Sequence, residues 1–381
     1  MKNEIINRTK SIFPNNDSLF IGFAPGRINL IGEHLDYNGG FVLPSPLDIG
    51  TYGSLSIRTD NKVFCYSENF KDMGICSFSL EQLEYKKEHH WMNYIKGLVK
   101  ELKIDKGFNL YVEGNIPAGA GLSSSASLEI LVSILINEAY QLNKSKLDLV
   151  LIAQSVENNY IGVASGIMDQ FVIAMTRRTG ALLLNTTNLE YKTIDIDLKN
   201  YSLIIGNTNK RRTLQDSKYN ERRKECEDAL CILKQRFSIN NLCELSLKEL
   251  ESSKDLLLDN VLYKRARHVV SENERTLQAV RVLGENNYAL FGKLLNDSHK
   301  SLCEDYQVTG IELDTLVNLF QKHGAIGARM TGAGFGGCMI TLVEKRLTDD
   351  ILEKVRKYYK KALNLNPEFY LVNISKGALL L

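Results

Sequence analysis

Apolar and polar positions are spaced differently in the two halves of the chain. In the first half, short β-branched or aromatic runs separated by Gly-containing turns predict strands over Leu19–Ala24, Gly50–Arg58, Lys62–Ser67 and Phe108–Glu113. Thr59-Asp60-Asn61, between the second and third runs, has the composition of a hairpin turn. Three stretches with apolar residues three and four apart predict helices over Trp91–Leu102, Ser124–Leu142 and Leu147–Tyr160. From Lys218 onward the pattern is helical and highly charged. Glu221–Phe237, Val261–Leu283 and Tyr288–Leu302 read as amphipathic helices with solvated faces. The last part reads as strand, helix, strand: Gly336–Glu344, Asp349–Leu363 and Phe369–Ile374. A boundary near residue 195, between the predicted strands Ala181–Leu184 and Leu203–Ile205, divides the chain into 1–195 and 196–381. Strands and helices mix without regular alternation, which favours an α+β fold over a doubly wound parallel sheet.

Composition narrows the function classes. Lys+Arg 47 against Asp+Glu 45 leaves a net charge of +2, so the basic excess of a nucleic-acid binder is missing. The most apolar stretch, Leu128 to Ile136, contains Glu129 and Ser133 and is far shorter than the roughly 20 residues of a membrane span. The N-terminal MKNEIINRTKSIF has no apolar signal core. Seven cysteines form no C-x-x-C pair, which points to reduced thiols rather than a disulfide framework or a zinc site. A cytoplasmic protein with neither nucleic-acid nor membrane partners is the expectation.

Three glycine-rich segments carry the candidate chemistry. In APGRINLIGEHLDYNGG (Ala24 to Gly40), a Pro25-Gly26 turn is expected to deliver Arg27 ahead of an apolar strand; Glu33, His34 and Asp36 follow within four residues. The plain reading is a strand ending in an Asx-type turn. The sharper one is a polyol site, since two carboxylates that accept and an imidazole that does either suit a ring of sugar hydroxyls. In GNIPAGAGLSSSAS (Gly114 to Ser127), a flexible Gly/Ser turn opens a helix. It presents free amides and the positive end of the helix dipole to an anion. Ser123, Ser124 and Ser125 add hydroxyls for phosphate oxygens or Mg²⁺, although a serine-rich helix cap has the same look. No GxxxxGK[ST] phosphate loop occurs. In TGAGFGGC (Thr331 to Cys338), Gly332, Gly334 and Gly337 satisfy G-x-G-x-x-G, but a strand-like run follows where a dinucleotide fold needs a helix. A tight loop lying close to another loop or to a ligand fits better.

Together these segments resemble the GHMP kinase superfamily and, within it, the galactokinase family. PGRINLIGEHLDYNGG is similar to the galactokinase signature, IPAGAGLSSSAS to the superfamily's ATP-binding motif and MTGAGFGGC to its third motif. GIMDQF at 166–171, RRTLQDSKYNERRKEC at 211–226 and RARHVVSEN at 265–273 also resemble galactokinase segments, so the likeness spans nearly the whole chain. The resemblance implies a GHMP kinase fold, with an N-terminal domain like the second domain of ribosomal protein S5 and a ferredoxin-like C-terminal domain. It implies ATP-dependent phosphorylation of the anomeric hydroxyl of α-D-galactose, with Mg²⁺ as cofactor and galactose and ATP as partners; a monomer is the expectation, with an oligomer left open. Carried over residue by residue, the base falls on Asp169 and the transition-state-stabilising arginine on Arg27. The sugar contacts fall on Glu33, His34, Leu35, Asp36, Gly166 and Tyr219. The nucleotide loop falls on Gly119, Ala120, Gly121, Leu122, Ser123, Ser124 and Ser125, a further nucleotide contact on Ser67, and the metal ligands on Ser125 and Glu157.

Two positions depart from the family. Leu35 stands where galactokinases commonly have Thr, and bulky aliphatics there occur in relatives that act on other sugars such as N-acetylgalactosamine. Ala333 replaces a common Gly of the third motif. Three rival readings follow: a kinase for another sugar or a mevalonate-like alcohol, a dehydrogenase turning on Gly119-x-Gly121, and a catalytically silent sugar sensor. The dehydrogenase lacks its third glycine. The sensor is disfavoured because Arg27, Asp169, Ser125 and Glu157 are all present.

Overall fold

The structure is a computed structural model that describes every residue except 15–17, 118–120, 164 and 211–214, with no side chains described for 215–217. Along the chain, helix α1 (Lys2–Ile12) precedes strands β1 (Phe20–Asn29), β2 (Phe41–Val42), β3 (Pro44–Ile57), β4 (Lys62–Ser67) and β5 (Cys76–Ser79). Helix α2 (Met92–Leu102), strand β6 (Phe108–Gly114) and helices α3 (Ser124–Ala139), α4 (Lys146–Ser155) and α5 (Met168–Met175) follow. Strands β7 (Ala181–Asn185), β8 (Tyr191–Ile194) and β9 (Tyr201–Asn207) lead into helices α6 (Gln215–Leu233), α7 (Leu247–Glu251), α8 (Asn260–Gly284), α9 (Tyr288–Ser301) and α10 (Ile311–Lys322). The chain closes with β10 (Gly327–Thr331), β11 (Cys338–Glu344), α11 (Thr348–Leu363), β12 (Glu368–Val372) and β13 (Leu379–Leu380). The sheets run β13-β1-β3-β6-β4-β5, β10-β11-β9-β12 and β2-β7-β8. Among the described residues no helix is long and apolar enough to cross a membrane.

Two local expectations need correcting. The turn at 59–61 does not close a hairpin, because β6 lies between β3 and β4, antiparallel to the first and parallel to the second. Gly107 leads β6 into that gap: its amide donates to the Asp60 carbonyl at 2.7 Å, and a Cβ there would lie only 1.9 Å from the Lys62 carbonyl. Nor is Pro25-Gly26 a turn. β1 runs straight through it, paired to β3, with a register shift between Pro25 and Arg27. That bulge re-aims the Arg27 side chain without ending the strand.

Helix α3 is apolar almost all round, burying Ile130, Leu131, Val132, Leu135 and Ile136, and it packs on β1 and β3. Two strand glycines allow the close approach. A Cβ at Gly22 or Gly53 would stand 3.1 or 3.0 Å from the Leu131 side chain. The N-terminus of α3 is thereby fixed beside the bulge that carries Arg27. The predicted helix ending at Tyr160 finishes in a π turn, Val156–Ile161, and α9 likewise runs into a π turn, Leu302–Tyr306. Such turns cluster at functional sites, and these two carry Glu157 and Tyr306. β10 and β11 form an antiparallel pair, Thr331 opposite Cys338, so the third glycine segment is their connecting loop, as its flanking strand pattern predicts. β13 returns to the first sheet and pairs with β1, Gly22 opposite Leu380.

Candidate active site

The bulge in β1 points Arg27 at Asp169 on the first turn of α5. Nε and Nη2 donate to Oδ1 and Oδ2 at 2.6 Å each, a bidentate pair, while Nη1 donates to the Gly121 carbonyl at 2.8 Å. Burial, the largest single influence, would depress the Arg27 pKa, but the charge and hydrogen bonds of Asp169 together with the charges of Glu33 and Asp36 outweigh it and the net shift is upward. Ser123 Oγ also donates to Asp169 Oδ2.

Two adjoining hollows meet at this pair. One, of about 290 Å³, is lined by Glu33, His34, Asp36, Gly166 and Tyr219. The other, of about 280 Å³, is lined by Gly121, Leu122, Ser123, Ser124 and Ser125. Arg27, Asp169, Gly332 and Ala333 belong to both walls.

In the first lobe, Glu33 is clamped from across the molecule. Its Oε1 accepts from Arg329 Nη2 (2.5 Å), Thr331 Oγ1 (2.9 Å) and the Gly332 amide (2.8 Å). Arg329 is fully buried and also lies 3.7 Å from Glu272, a buried carboxylate that accepts from the Gly32 amide, Ser298 and Arg275. Burial would raise the Glu272 pKa, but the positive charges around it, Arg275 foremost, bring it down to about 2. His34 has a left-handed backbone (φ 65°), and burial drives its pKa down to about 4, so the imidazole is neutral near pH 7. Its Nδ1 is 2.8 Å from Tyr37 Oη, and its buried Nε2 has no partner. The Tyr219 ring packs 5.7 Å from His34 and 5.3 Å from Tyr37. Asp36 lies so close to Gly166 that a Cβ there would sit 1.9 Å from Oδ2. Burial, reinforced by the charges of Asp169 and Glu33, lifts the Asp36 pKa to about 7.

In the second lobe, no serine side chain caps α3, so the capping alternative fails. Ser123, at φ 61°, turns to Asp169, while Ser125 Oγ donates to Glu157 Oε1 at 2.8 Å. Glu157 Oε2 accepts from Ser165 and Gln170, each at 2.8 Å. Behind it Glu129 is fully buried, its pKa pushed well up by burial and by the charge of Glu157. Among the described residues no three His, Cys, Asp or Glu side chains group as metal ligands. Gly332 and Gly334 have φ of 81° and 84°, whereas Ala333 between them does not enter the left-handed region, so its methyl is carried without strain.

Several expected site residues lie elsewhere. Leu35 is fully buried in the apolar core and lines neither lobe, and Ser67, at the end of β4, lines neither. Gly119 and Ala120 fall outside the described residues. Conversely, sequence reasoning missed Arg329, Glu272, Tyr37 and Tyr306. The available signal was a lone charge in the apolar strand β10, and a Glu inside the quoted 265–273 segment.

Comparison with known proteins is consistent along the whole chain. Residues 10–57 match the galactokinase galactose-binding signature, 93–177 the GHMP kinases N terminal domain, and 278–361 the GHMP kinases C terminal family. The galactokinase of Clostridium perfringens (strain 13 / Type A) is 51% identical, covering 98% of each chain. That of Staphylococcus saprophyticus is 52% identical, covering 93% of this chain and 94% of its own. The crystal structure of Lactococcus lactis galactokinase complexed with galactose superposes over 100% of both chains, with a TM-score of 0.96 and 44% identity. Methanococcus jannaschii mevalonate kinase shares the fold, with a TM-score of 0.67 at 19% identity over 94% of this chain and 99% of its own.

Proposed function

This chain belongs to the galactokinase family of the GHMP kinases, and we propose that it moves the γ-phosphoryl group of ATP to the anomeric hydroxyl of α-D-galactose, giving galactose 1-phosphate and ADP. The observation that carries the reading is the Arg27–Asp169 pair, set on the wall shared by a lobe of carboxylates and a lobe of serines at a helix N-terminus. Sugar occupies the first lobe and polyphosphate the second, so the pair stands where the transferred group must pass.

Phosphoryl transfer needs positioning and charge neutralisation more than covalent help from the protein. Asp169, oriented by two bonds from Arg27 and one from Ser123, receives the hydroxyl proton as the sugar oxygen bonds to phosphorus. Arg27 faces the charge that develops on the transferring group, and its anchor on the Gly121 carbonyl ties it to the nucleotide loop. The uncapped start of α3 holds phosphate oxygens by its amides. Glu33 and Asp36 accept hydrogen bonds from sugar hydroxyls, with His34 and Tyr219 completing the wall. Gly166 leaves the space Asp36 needs.

Ser125 and Glu157 fit Mg²⁺, since a hydroxyl and a carboxylate 2.8 Å apart are hard oxygen donors. The ion supplies charge neutralisation on the phosphates when bound. Ser125 and Glu157 would hold the ion, Glu157 being the one carboxylate of the pair. The seven free cysteines agree with a reducing, cytoplasmic setting.

Release of ADP from Mg-ATP, measured over a panel of hexoses, tests the reading. Galactose is expected to lead in kcat/KM. A polar site of this kind rejects an analogue that leaves its groups unpaired by about four to five decades. Glucose within tenfold of galactose refutes the polar-lobe account. N-acetylgalactosamine ahead of galactose would reassign the substrate. The burial of Leu35 in the core, away from the lobe, argues against that outcome.

A further inference from the structure

Beneath the sugar lobe runs a line of polar atoms that the phosphoryl-transfer chemistry does not use. His34 Nδ1 is 2.8 Å from Tyr37 Oη, Tyr37 Oη is 2.8 Å from Tyr306 Oη, and Tyr306 Oη is 3.2 Å from Cys226 Sγ. Tyr306 is fully buried and Cys226 1% exposed. The Tyr306 ring packs against the rings of both His34 and His268, with centroids at 4.7 and 4.5 Å. The His34 carbonyl accepts from Asn38 Nδ2 at 2.7 Å. The far nitrogen of the imidazole, Nε2, is buried and unpartnered, and His34 is one of the residues that line the lobe.

We propose that Tyr37, Tyr306 and Cys226 form a hydrogen-bonded relay that fixes His34 in its Nε2–H tautomer, so that the imidazole offers the sugar a donor among carboxylate acceptors. The direction follows from acid–base strength. The neutral imidazole nitrogen is the strongest acceptor in the line and a phenol the strongest donor, so Tyr37 donates to Nδ1. Tyr37 Oη then accepts from Tyr306, and Tyr306 Oη accepts from the Cys226 thiol, a weak donor but a weaker acceptor. With Nδ1 engaged as an acceptor, the ring proton resides on Nε2 and faces the lobe. A sugar hydroxyl that donates to Glu33 or Asp36 can then accept from His34 at the same time. Tyr306 and Cys226 are positioning residues for sugar recognition, acting through a ring they do not share with the substrate.

The relay rests on the reading of His34 as a sugar contact, and the experiment separates the two. Two-bond ¹⁵N–¹H spectra of histidine-labelled, sugar-free protein report which nitrogen of His34 is protonated; its signals are those absent in His34→Ala. The expected wild-type pattern is protonated Nε2 with bare Nδ1. Tyr306→Phe keeps the ring and breaks the line, so both tautomers should appear. The galactose KM should rise about three- to tenfold, the worth of one neutral hydrogen bond, while the ATP KM and kcat stay within about twofold. Cys226→Ala should shift both readouts the same way by less, and Cys226→Ser, which restores a donor, should return them. If Tyr306→Phe does not fold, the Cys226 pair carries the test. Protonated Nδ1 in the wild type overturns the proposal. So does Tyr306→Phe with unchanged His34 signals and galactose KM while His34→Ala raises that KM. An unchanged galactose KM in His34→Ala overturns the sugar contact itself, and the specificity role with it.

Discussion

Replacing Gly166 with Ala should damage sugar recognition while leaving the fold and the nucleotide lobe intact. The added Cβ would stand 1.9 Å from Asp36 Oδ2, 2.5 Å from its Cγ and 3.0 Å from its Cβ. An ordinary contact needs roughly 3.5 Å, so the carboxylate must retreat by about 1.5 Å. No backbone atom ranks among the three nearest neighbours of that Cβ; rotation about χ1 of Asp36 removes Oδ2 and Cγ from the clash, and a shift of a few tenths of an ångström relieves the remaining 3.0 Å approach of the two Cβ atoms. The chain should therefore fold, at a cost of about 1 kcal/mol for the strained side chain. Rotation also swings the carboxylate off the position from which it meets a sugar hydroxyl. A hydrogen bond to a charged group is worth about 1.5–3 kcal/mol, so the galactose KM should rise about 10- to 150-fold. The ATP KM should stay near wild type, because Asp36 and Gly166 line only the sugar lobe. Steady-state kinetics with each substrate varied in turn, alongside thermal unfolding, give the answer. A galactose KM within twofold of wild type in a folded Gly166→Ala protein would refute the argument, as would equal losses for both substrates.

Three further outcomes are expected. Asp169→Asn should lose about two to four decades of kcat while still binding both substrates, since an amide cannot take the proton; near-normal kcat removes Asp169 as the base. Ser125→Ala and Glu157→Gln should each raise the Mg²⁺ concentration for half-maximal rate, and if both keep the wild-type dependence the metal assignment is wrong. The pKa of about 7 at Asp36, caused first by burial, predicts that kcat/KM for galactose climbs as pH rises through 7 and the accepting carboxylate forms. Because the folded value is raised, the stability linked to this group is full below about 3.8 and lost as pH rises through about 7, so Asp36→Asn should flatten that part of a Tm-against-pH curve.

The three glycine segments were legible because their composition is improbable without a purpose, and all three border the two lobes. The long periodic helices were legible for the reason that periodicity reports burial of one face. The false hairpin at 59–61 has an equally physical origin. Turn chemistry is local, whereas the choice of β6 as the partner of both β3 and β4 is made by residues some 50 positions away. The bulge at Pro25 has the same cause, since a register shift exists only against the facing strand. Glu33 could be read as a sugar ligand, yet its three clamping donors come from Arg329, Thr331 and Gly332, nearly 300 residues later. Leu35 shows the converse limit. A neighbour of three lobe residues in sequence, it points into the core because the backbone there turns at His34.

The pairing of β13 with β1 has a consequence in time. β1 is made early and its outer partner some 350 residues later, so at about 5–20 residues per second the edge at Gly22 and Phe23 waits for tens of seconds. An uncovered edge offers its amides and carbonyls to any passing strand, including one from another nascent chain. Closing so long a loop costs little more entropy than closing one half its size, so the seal is thermodynamically easy and only late. The bulge that aims Arg27 lies a few residues downstream on the same strand. Crowded synthesis should therefore yield aggregates joined through β1, and chains shortened before Leu379 should supply more of them.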